Sequence, residues 1–212
     1  MASPKFTRQS AAAREQDLID ATLHCVADLG VHRLTVREVA RRAGVTPGLI
    51  RRYFVSKDRM VQAAYRHFIT DMANYAGQKV AGLAPARRFT QLVATSLSPP
   101  LATPHTLAIW ANFIGLVNTD PAMAHIHEEG YRAYRQLFED CLGELYRKQG
   151  LHVHQATLRQ QAITLNAIID GFWLEISMAS DAMTGQDILP LAQRACAAVV
   201  GPAAANILSE TE

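Results

Sequence analysis

Arginine, lysine, threonine and tyrosine gather between Thr35 and Lys57, in the stretch TVREVARRAGVTPGLIRRYFVSK, at spacings suited to a polyanion. A guanidinium can hold guanine O6 and N7 with two hydrogen bonds, while hydroxyls, phenols and backbone amides hold phosphates and set the register. Arg51 and Arg52 are therefore candidates for base edges, with Thr46, Pro47 and Gly48 ahead of them on one exposed side, and Thr35, Tyr53 and Lys57 are candidates for phosphates. Lys57 follows Ser56, where free helix-terminal amides beside an ammonium make an anion-binding corner.

A second group is aromatic. Trp110 and Phe113 lie on one stretch, Tyr131, Tyr134 and Phe138 on the next, and Phe172 and Trp173 on a third, with Asp170 beside them. Such stripes serve a plain core, or they wall a pocket between helices. The third group is His125, His127, Glu128 and Glu129, in which His125 and Glu129 share a helix face as metal ligands would. No second pair of that kind occurs, and neither a glycine-rich phosphate loop nor a nucleophile elbow is present, so catalysis, a metal and a cofactor are not expected. His152 and His154 read as solvated loop residues.

The elements that must position these residues have their own signals. Thr35 is an N-cap with Glu38 three residues on, the pattern of a capping box. That helix should end at Ala43, where Gly44 supplies a left-handed terminator and Val45 an apolar plug. Thr46 caps a second helix with Pro47 at its first position, and Leu49 and Ile50 face back onto Val39 and Ala40. Two short helices across so tight a turn form a helix-turn-helix, whose second helix enters a major groove. Ahead of it, Leu18, Ile19, Thr22, Leu23, Val26 and Leu29 mark a helix that packs across the hairpin. After it, Val61, Tyr65, Phe68, Met72 and Tyr75 mark a helix from Ser56 to about Gly82, long enough to act as a mechanical link into the rest of the chain.

At 212 residues there is room for one compact body or two modest domains. The net charge is only +2, but residues 1–60 hold 11 Lys/Arg against 6 Asp/Glu and the remainder 10 against 13, so a basic head sits on a slightly acidic body. The basic arm Met1 to Ser10 is expected to be unstructured. No apolar run reaches the roughly 18 residues of a membrane span and the N-terminus lacks an apolar signal core, which places the expectation in the cytoplasm with no membrane partner. Cys25, Cys141 and Cys196 are far apart and read as buried small apolar residues.

Beyond the link helix the pattern is helical throughout. Helices are expected at Ala84 to Ser98, Pro104 to Val117, Ala122 to Gln149, Gln155 to Ser180 and Asp187 to Val200, giving an all-α chain of roughly nine helices. From Leu165 to Met183 only Asp170, Glu175 and Asp181 are charged. A helix so apolar on every side, paired with an Ala-rich neighbour, has more surface than a small body covers, so a homodimer seam is expected through Ile169, Phe172, Ile176, Leu191, Ala195 and Val199. Gly171 implies a close approach there, by a partner helix or a ligand.

The head, EQDLIDATLHCVADLG followed by TVREVARRAGVTPGLIRRYFVSKDRM, resembles the DNA-binding domain of the TetR family of bacterial transcriptional repressors. It departs at Arg51, where the family often carries an aromatic or histidine, so its base preference does not carry over. The run IIDGFWLE, with Trp110, is similar to the choline- and betaine-responsive branch, without that branch's further aromatic near Ile114. The resemblance implies a helix-turn-helix domain over 1–55, a ligand-binding and dimerisation domain over 56–212, and a regulator that leaves a palindromic duplex DNA operator when a small effector binds. An organic cation such as choline would be held by Trp110, Phe113, Tyr131, Tyr134, Asp170 and Trp173, with Asp170 or Glu128 as counter-charge. A lipophilic effector controlling efflux or catabolism, a helical interaction protein without DNA binding, and a metal-dependent enzyme are the other readings.

Overall fold

The computed structural model describes residues 10–178 and 185–201, and the side chains of 185–187 are not described. Among them the chain forms nine helices and no strand: α1 (Ala11–Leu29), α2 (Val36–Arg42), α3 (Pro47–Tyr53), α4 (Lys57–Val80), α5 (Pro85–Ser96), α6 (Pro104–Val117), α7 (Pro121–Lys148), α8 (Gln155–Met178) and α9 (Gly185–Val200). The expected basic arm and the expected end of α8 at Ser180 lie outside the described residues, and α9 begins two residues before the expected Asp187.

The head is built from local chemistry. Thr35, Thr46 and Ser56 accept from the backbone N–H of Glu38, Leu49 and Arg59 at 3.2, 3.4 and 3.1 Å, so each helix from α2 to α4 starts on a side-chain cap. Gly44, at φ 64°, closes α2: its N–H donates to Arg41 O and the Val45 N–H to Ala40 O, the paired bonds of a Schellman motif. The capping box is only half made. Glu38 turns its carboxylate to the Arg41 guanidinium instead of the Thr35 amide, because a charged partner one turn on outcompetes a neutral donor. Leu18, Cys25, Val39, Ile50 and Met60 fill the space between α1, α2, α3 and the start of α4.

α4 leaves this head and runs between the body helices, packing chiefly on α7, α1 and α5. It packs tightly on Gly130 of α7, where an added Cβ would fall 2.6 Å from the Ile69 side chain. Gly115, on the exposed side of α6, would meet nothing within 4 Å. Replacing the two glycines should therefore have opposite signs: Gly115→Ala should stabilise by up to about 1 kcal/mol through helix propensity, while Gly130→Val should destabilise by about 1 to 3 kcal/mol through overpacking. Denaturant melts of the two variants check both.

α8 is not buried all round. Leu158, Ala162, Leu165, Asn166, Ile169 and Trp173 face the core, while Ile163, Leu174 and Met178 on its other side are 42, 45 and 63% exposed. The three cysteines are free and buried, and burial pushes the Cys141 and Cys196 thiols up to about 12, which keeps them as inert apolar groups.

Candidate nucleic-acid interface and ligand pocket

Thr46, Pro47, Gly48, Arg51 and Arg52 are all exposed on α3 and its N-terminus. Cations of the head divide by what they already hold. Arg41 is paired with Glu38 and Arg42 with Asp28 at 2.5 Å, whereas Arg33, Arg37, Arg51 and Arg52 make no ion pair among the described residues. Arg51 and Arg52, free on the same helix, can reach an anion without first breaking an ion pair. Thr35 is exposed with its oxygen engaged as a cap, and Tyr53 is half-buried against the head core. Lys57 is engaged inside the protein: its Nζ donates to Val31 O at 3.2 Å, tying the start of α4 to the turn after α1. Val55, directly after this group, is 94% exposed and had no signal in the sequence beyond its place before the Ser56 cap.

The second site is a pocket inside the body, enclosing about 430 Å³ of empty space including its mouth. Trp110, Tyr131, Tyr134, Asp170 and Trp173 line it together, as the aromatic stripes of α6, α7 and α8 suggested. Phe113 does not. It is fully buried behind the wall, stacked on Tyr65 with ring centroids 4.6 Å apart. Glu128 faces outward and pairs with Arg132, so the counter-charge in the pocket is Asp170 alone of the two.

Sequence reading missed one whole wall. Tyr65, Phe68, Ile69 and Met72 of α4 line the pocket, as does Asn166 of α8. The aromatic content of the α4 stripe was the available signal, and it was spent on a linking role. Asn166, a turn before Asp170 on an otherwise apolar face, was a second.

Hydrogen bonds order the wall. The Trp110 indole N–H donates to Tyr131 OH at 3.1 Å, Tyr131 OH donates to Asp170 Oδ1 at 3.2 Å, and Asn166 Nδ2 donates to Asp170 Oδ2 at 2.7 Å. The Trp173 indole donates to Ser96 O at 2.7 Å, and the Ser96 hydroxyl meets Tyr134 OH. Trp110 and Trp173 stand edge to face, 5.7 Å between centroids. Burial pushes the Asp170 carboxyl up to about 6, with the Tyr131 bond, the Arg135 guanidinium and the Asn166 bond pulling it partly back. Tyr131, Tyr65 and Tyr134 are raised by the same loss of water and stay neutral donors.

The histidine cluster disperses. His125 pairs with Glu129 at 3.2 Å and Glu129 with Arg66 at 2.5 Å, a surface chain bridging α4 and α7, while His127 turns inward to Tyr65 OH at 2.8 Å. Among the described residues no group of three or more His, Cys, Asp or Glu is arranged to hold a metal, and no helix is long and apolar enough to cross a membrane.

Of the six residues expected at a seam between two copies, Ile169 is misplaced. It is 3% exposed and lines the pocket, because the α8 register turns it to the same side as Trp173. Phe172, Ile176, Ala195 and Val199 are half-exposed and Leu191 is 42% exposed. Gly171 lies on the outer face with Ala167, Leu174 and Met178, and a Cβ there would meet nothing within 4 Å.

Comparison with known proteins covers both parts of the chain. Residues 18–64 match the family model for bacterial regulatory proteins of the tetR family, and residues 85–201 match that for the C-terminal region of BetI-type transcriptional repressors. An HTH-type transcriptional regulator BetI from Paraburkholderia phymatum is 30% identical over 182 residues, 84% of this chain and 89% of that protein. Among solved structures, a transcriptional regulator from Pseudomonas aeruginosa PAO1 superposes with a TM-score of 0.81 at 27% identity, covering 96% of this chain and 98% of the other. A regulator from Saccharomonospora viridis in complex with choline superposes at 0.75 with 18% identity, over 87% of this chain and 95% of that one.

Proposed function

Because this chain belongs to the TetR family of bacterial transcriptional regulators and carries its BetI-type repressor body, we propose that it represses from a palindromic operator as a homodimer and leaves it when a small organic cation fills the pocket. The division of labour follows the chain, with the reading head in residues 1–55, the effector and dimer body in 56–212, and the whole acting in the cytoplasm.

The single observation that carries the effector reading is Asp170, a carboxylate among aromatic rings with no ion-pair partner within 4 Å among the described residues. A lipophilic effector gains nothing from that charge and must leave it desolvated. A quaternary ammonium, which has no hydrogen to donate, gains from it and from each ring face, about 0.5 to 2 kcal/mol per face. The choline in the Saccharomonospora viridis regulator supports the same chemistry. Trp110, Tyr131, Tyr134 and Trp173 form the cage, with Tyr65 and Phe68 as its α4 wall and Phe113 as backing. Titration of choline and of its neutral isostere 3,3-dimethylbutan-1-ol tests this, read by the fluorescence of the chain's two tryptophans, both of which line the pocket. Choline should bind at least about tenfold tighter, as one ion pair and added cation–π contacts require. Tighter binding of the alcohol would make the pocket lipophilic.

Effector occupancy has a direct handle on DNA affinity, because α4 carries pocket residues Tyr65, Phe68, Ile69 and Met72 and begins at Ser56 and Lys57 beside α3. A cation releases the operator only through unequal affinity for the two head arrangements; a hundredfold loss needs about 2.7 kcal/mol of difference.

On the DNA side, Arg51 and Arg52 read bases, Thr46, Pro47 and Gly48 bring the α3 backbone to the groove, and Thr35 and Tyr53 hold phosphates. Lys57 serves the phosphate edge with the donors left after Val31. Arg51→Ala should cost about 1 to 3 kcal/mol on the preferred operator and relax base choice, while Lys57→Ala should weaken all sequences alike. Anisotropy titrations against a selected operator and its single-base variants decide: uniform weakening by Arg51→Ala would remove it from base readout.

A further inference from the structure

One backbone residue is held from two sides where the head meets the body. Val31 follows Gly30, which closes α1 at φ 75°. The Val31 N–H donates to Asn112 Oδ1 of α6 at 3.3 Å, and its carbonyl accepts from Lys57 Nζ of α4 at 3.2 Å. The Asn112 amide is oriented by its own Nδ2, which donates to Ala108 O at 2.8 Å, so its oxygen is the end presented to Val31. A Cβ on Gly30 would lie 3.0 Å from that oxygen, so bare head backbone is pressed against a body side chain.

Asn112 stands two residues from Trp110, on the cage wall, and next to Phe113, which stacks on Tyr65. A shift of α6 that follows Trp110 must therefore move Asn112 against the turn between α1 and α2. The bond, at 3.3 Å, lies at the long end for N–H to oxygen, so a displacement of about half an ångström either tightens or breaks it. Nothing in the α4 link predicts a second connection of this kind.

We propose that Asn112 is a positioning residue that sets the pitch of the helix-turn-helix head on the body, and that it couples the pocket to the head through Val31 independently of the direct α4 path. The coupling half of this rests on the cation-effector reading above; the positioning half does not.

The test uses the full-length dimer with one spin label per protomer at Glu15→Cys, an exposed site on α1; the three native cysteines are buried and stay unlabelled. Asn112→Leu and Asn112→Ala remove the acceptor, and Asn112→Asp keeps it. In the free protein the label-to-label distance distribution should broaden about twofold in Asn112→Leu and Asn112→Ala, and stay as narrow as wild type in Asn112→Asp. Choline affinity read by tryptophan fluorescence should stay within about twofold of wild type in all of them, while the choline-induced loss of operator affinity, in the usual range of about 5- to 150-fold, should shrink by at least about threefold in the two variants lacking the acceptor, the α4 path carrying the remainder. Distributions as narrow as wild type in both, or Asn112→Asp as broad as Asn112→Leu, would overturn the positioning role. Broadened heads with unchanged choline-induced release would overturn the coupling. A wild type that ignores choline would bring down the cation reading, and the positioning role would then stand or fall on the distance widths.

Discussion

Gly171→Glu should convert the protein to a monomer at micromolar concentration and abolish operator binding at a salt concentration where the wild type is saturated. The outer face of α8 carries Ile163, Ala167, Gly171, Leu174 and Met178 at helical spacing, and α9 adds Leu191. These apolar side chains stand exposed to water in one copy alone, and the family's dimeric assembly gives them a partner. At Gly171 the backbone is bare and a Cβ meets nothing within the protomer, so the glycine, costing about 1 kcal/mol in a helix, is compensated only if another helix comes close. A carboxylate there is buried without a partner and lies one turn from Glu175, so repulsion adds to desolvation. Ala195→Glu, on half-exposed α9, should act in the same direction. Loss of the dimer removes the second half-site, and operator affinity then rests on one head. Sedimentation and anisotropy check both steps with α3 untouched. A Gly171→Glu protein that remains dimeric would move the seam elsewhere, and Gly171→Ala sharpens the point: stabilisation would say no helix approaches, destabilisation that one does.

What could be read from the sequence follows how local the physics is. Thr35, Gly44, Thr46, Pro47 and Ser56 fix helix ends within three or four residues, and those ends stand where the sequence put them. The choice of acceptor for Glu38 or Lys57 is not local in that sense. Lys57 meets the Val31 carbonyl across 26 residues, and only the packing of α4 against α1 brings the two together. The pocket was legible in composition but not in rotation. Trp110, Tyr131, Asp170 and Trp173 fell on the inner side, whereas Ile169 was assigned to the outer face of α8, since periodicity in a helix apolar on most sides does not say which side is the core; Glu128 was offered to the cavity for its charge, and α7 turns it outward to Arg132. The α4 wall was lost because its stripe was already explained by packing. Tyr65, with no measurable exposure, is both core and lining.

Choline affinity should fall about tenfold between pH 7.5 and pH 5, and Asp170→Asn should weaken binding and flatten that profile. Burial raises the Asp170 carboxyl to about 6, so at pH 7.5 it is ionised in the folded protein and at pH 5 about nine in ten copies are protonated. A bound quaternary ammonium favours the carboxylate, so binding below pH 6 must first expel a proton and weakens by about a factor of ten per unit. The neutral isostere should show the opposite trend or none. Stability carries the complementary sign. The unfolded carboxyl titrates near 3.8 and the folded one near 6, so this group's contribution is fully present below about 3.8 and is lost as pH rises through about 6. Above that pH the free protein holds a desolvated charge at a cost on the order of 2 to 3 kcal/mol, tempered by Tyr131, Asn166 and Arg135. Asp170→Asn removes the charge, and with the Asn166 amide turned to accept, both wall bonds survive. The variant should therefore melt higher than wild type at pH 7.5 and match it near pH 4, while losing choline. Calorimetric melts at the two pH values and titrations across the range measure the two effects separately. A variant that melts lower at pH 7.5, or wild-type choline binding that is level from pH 7.5 to 5, would mean that Asp170 is not the charge that the cation meets.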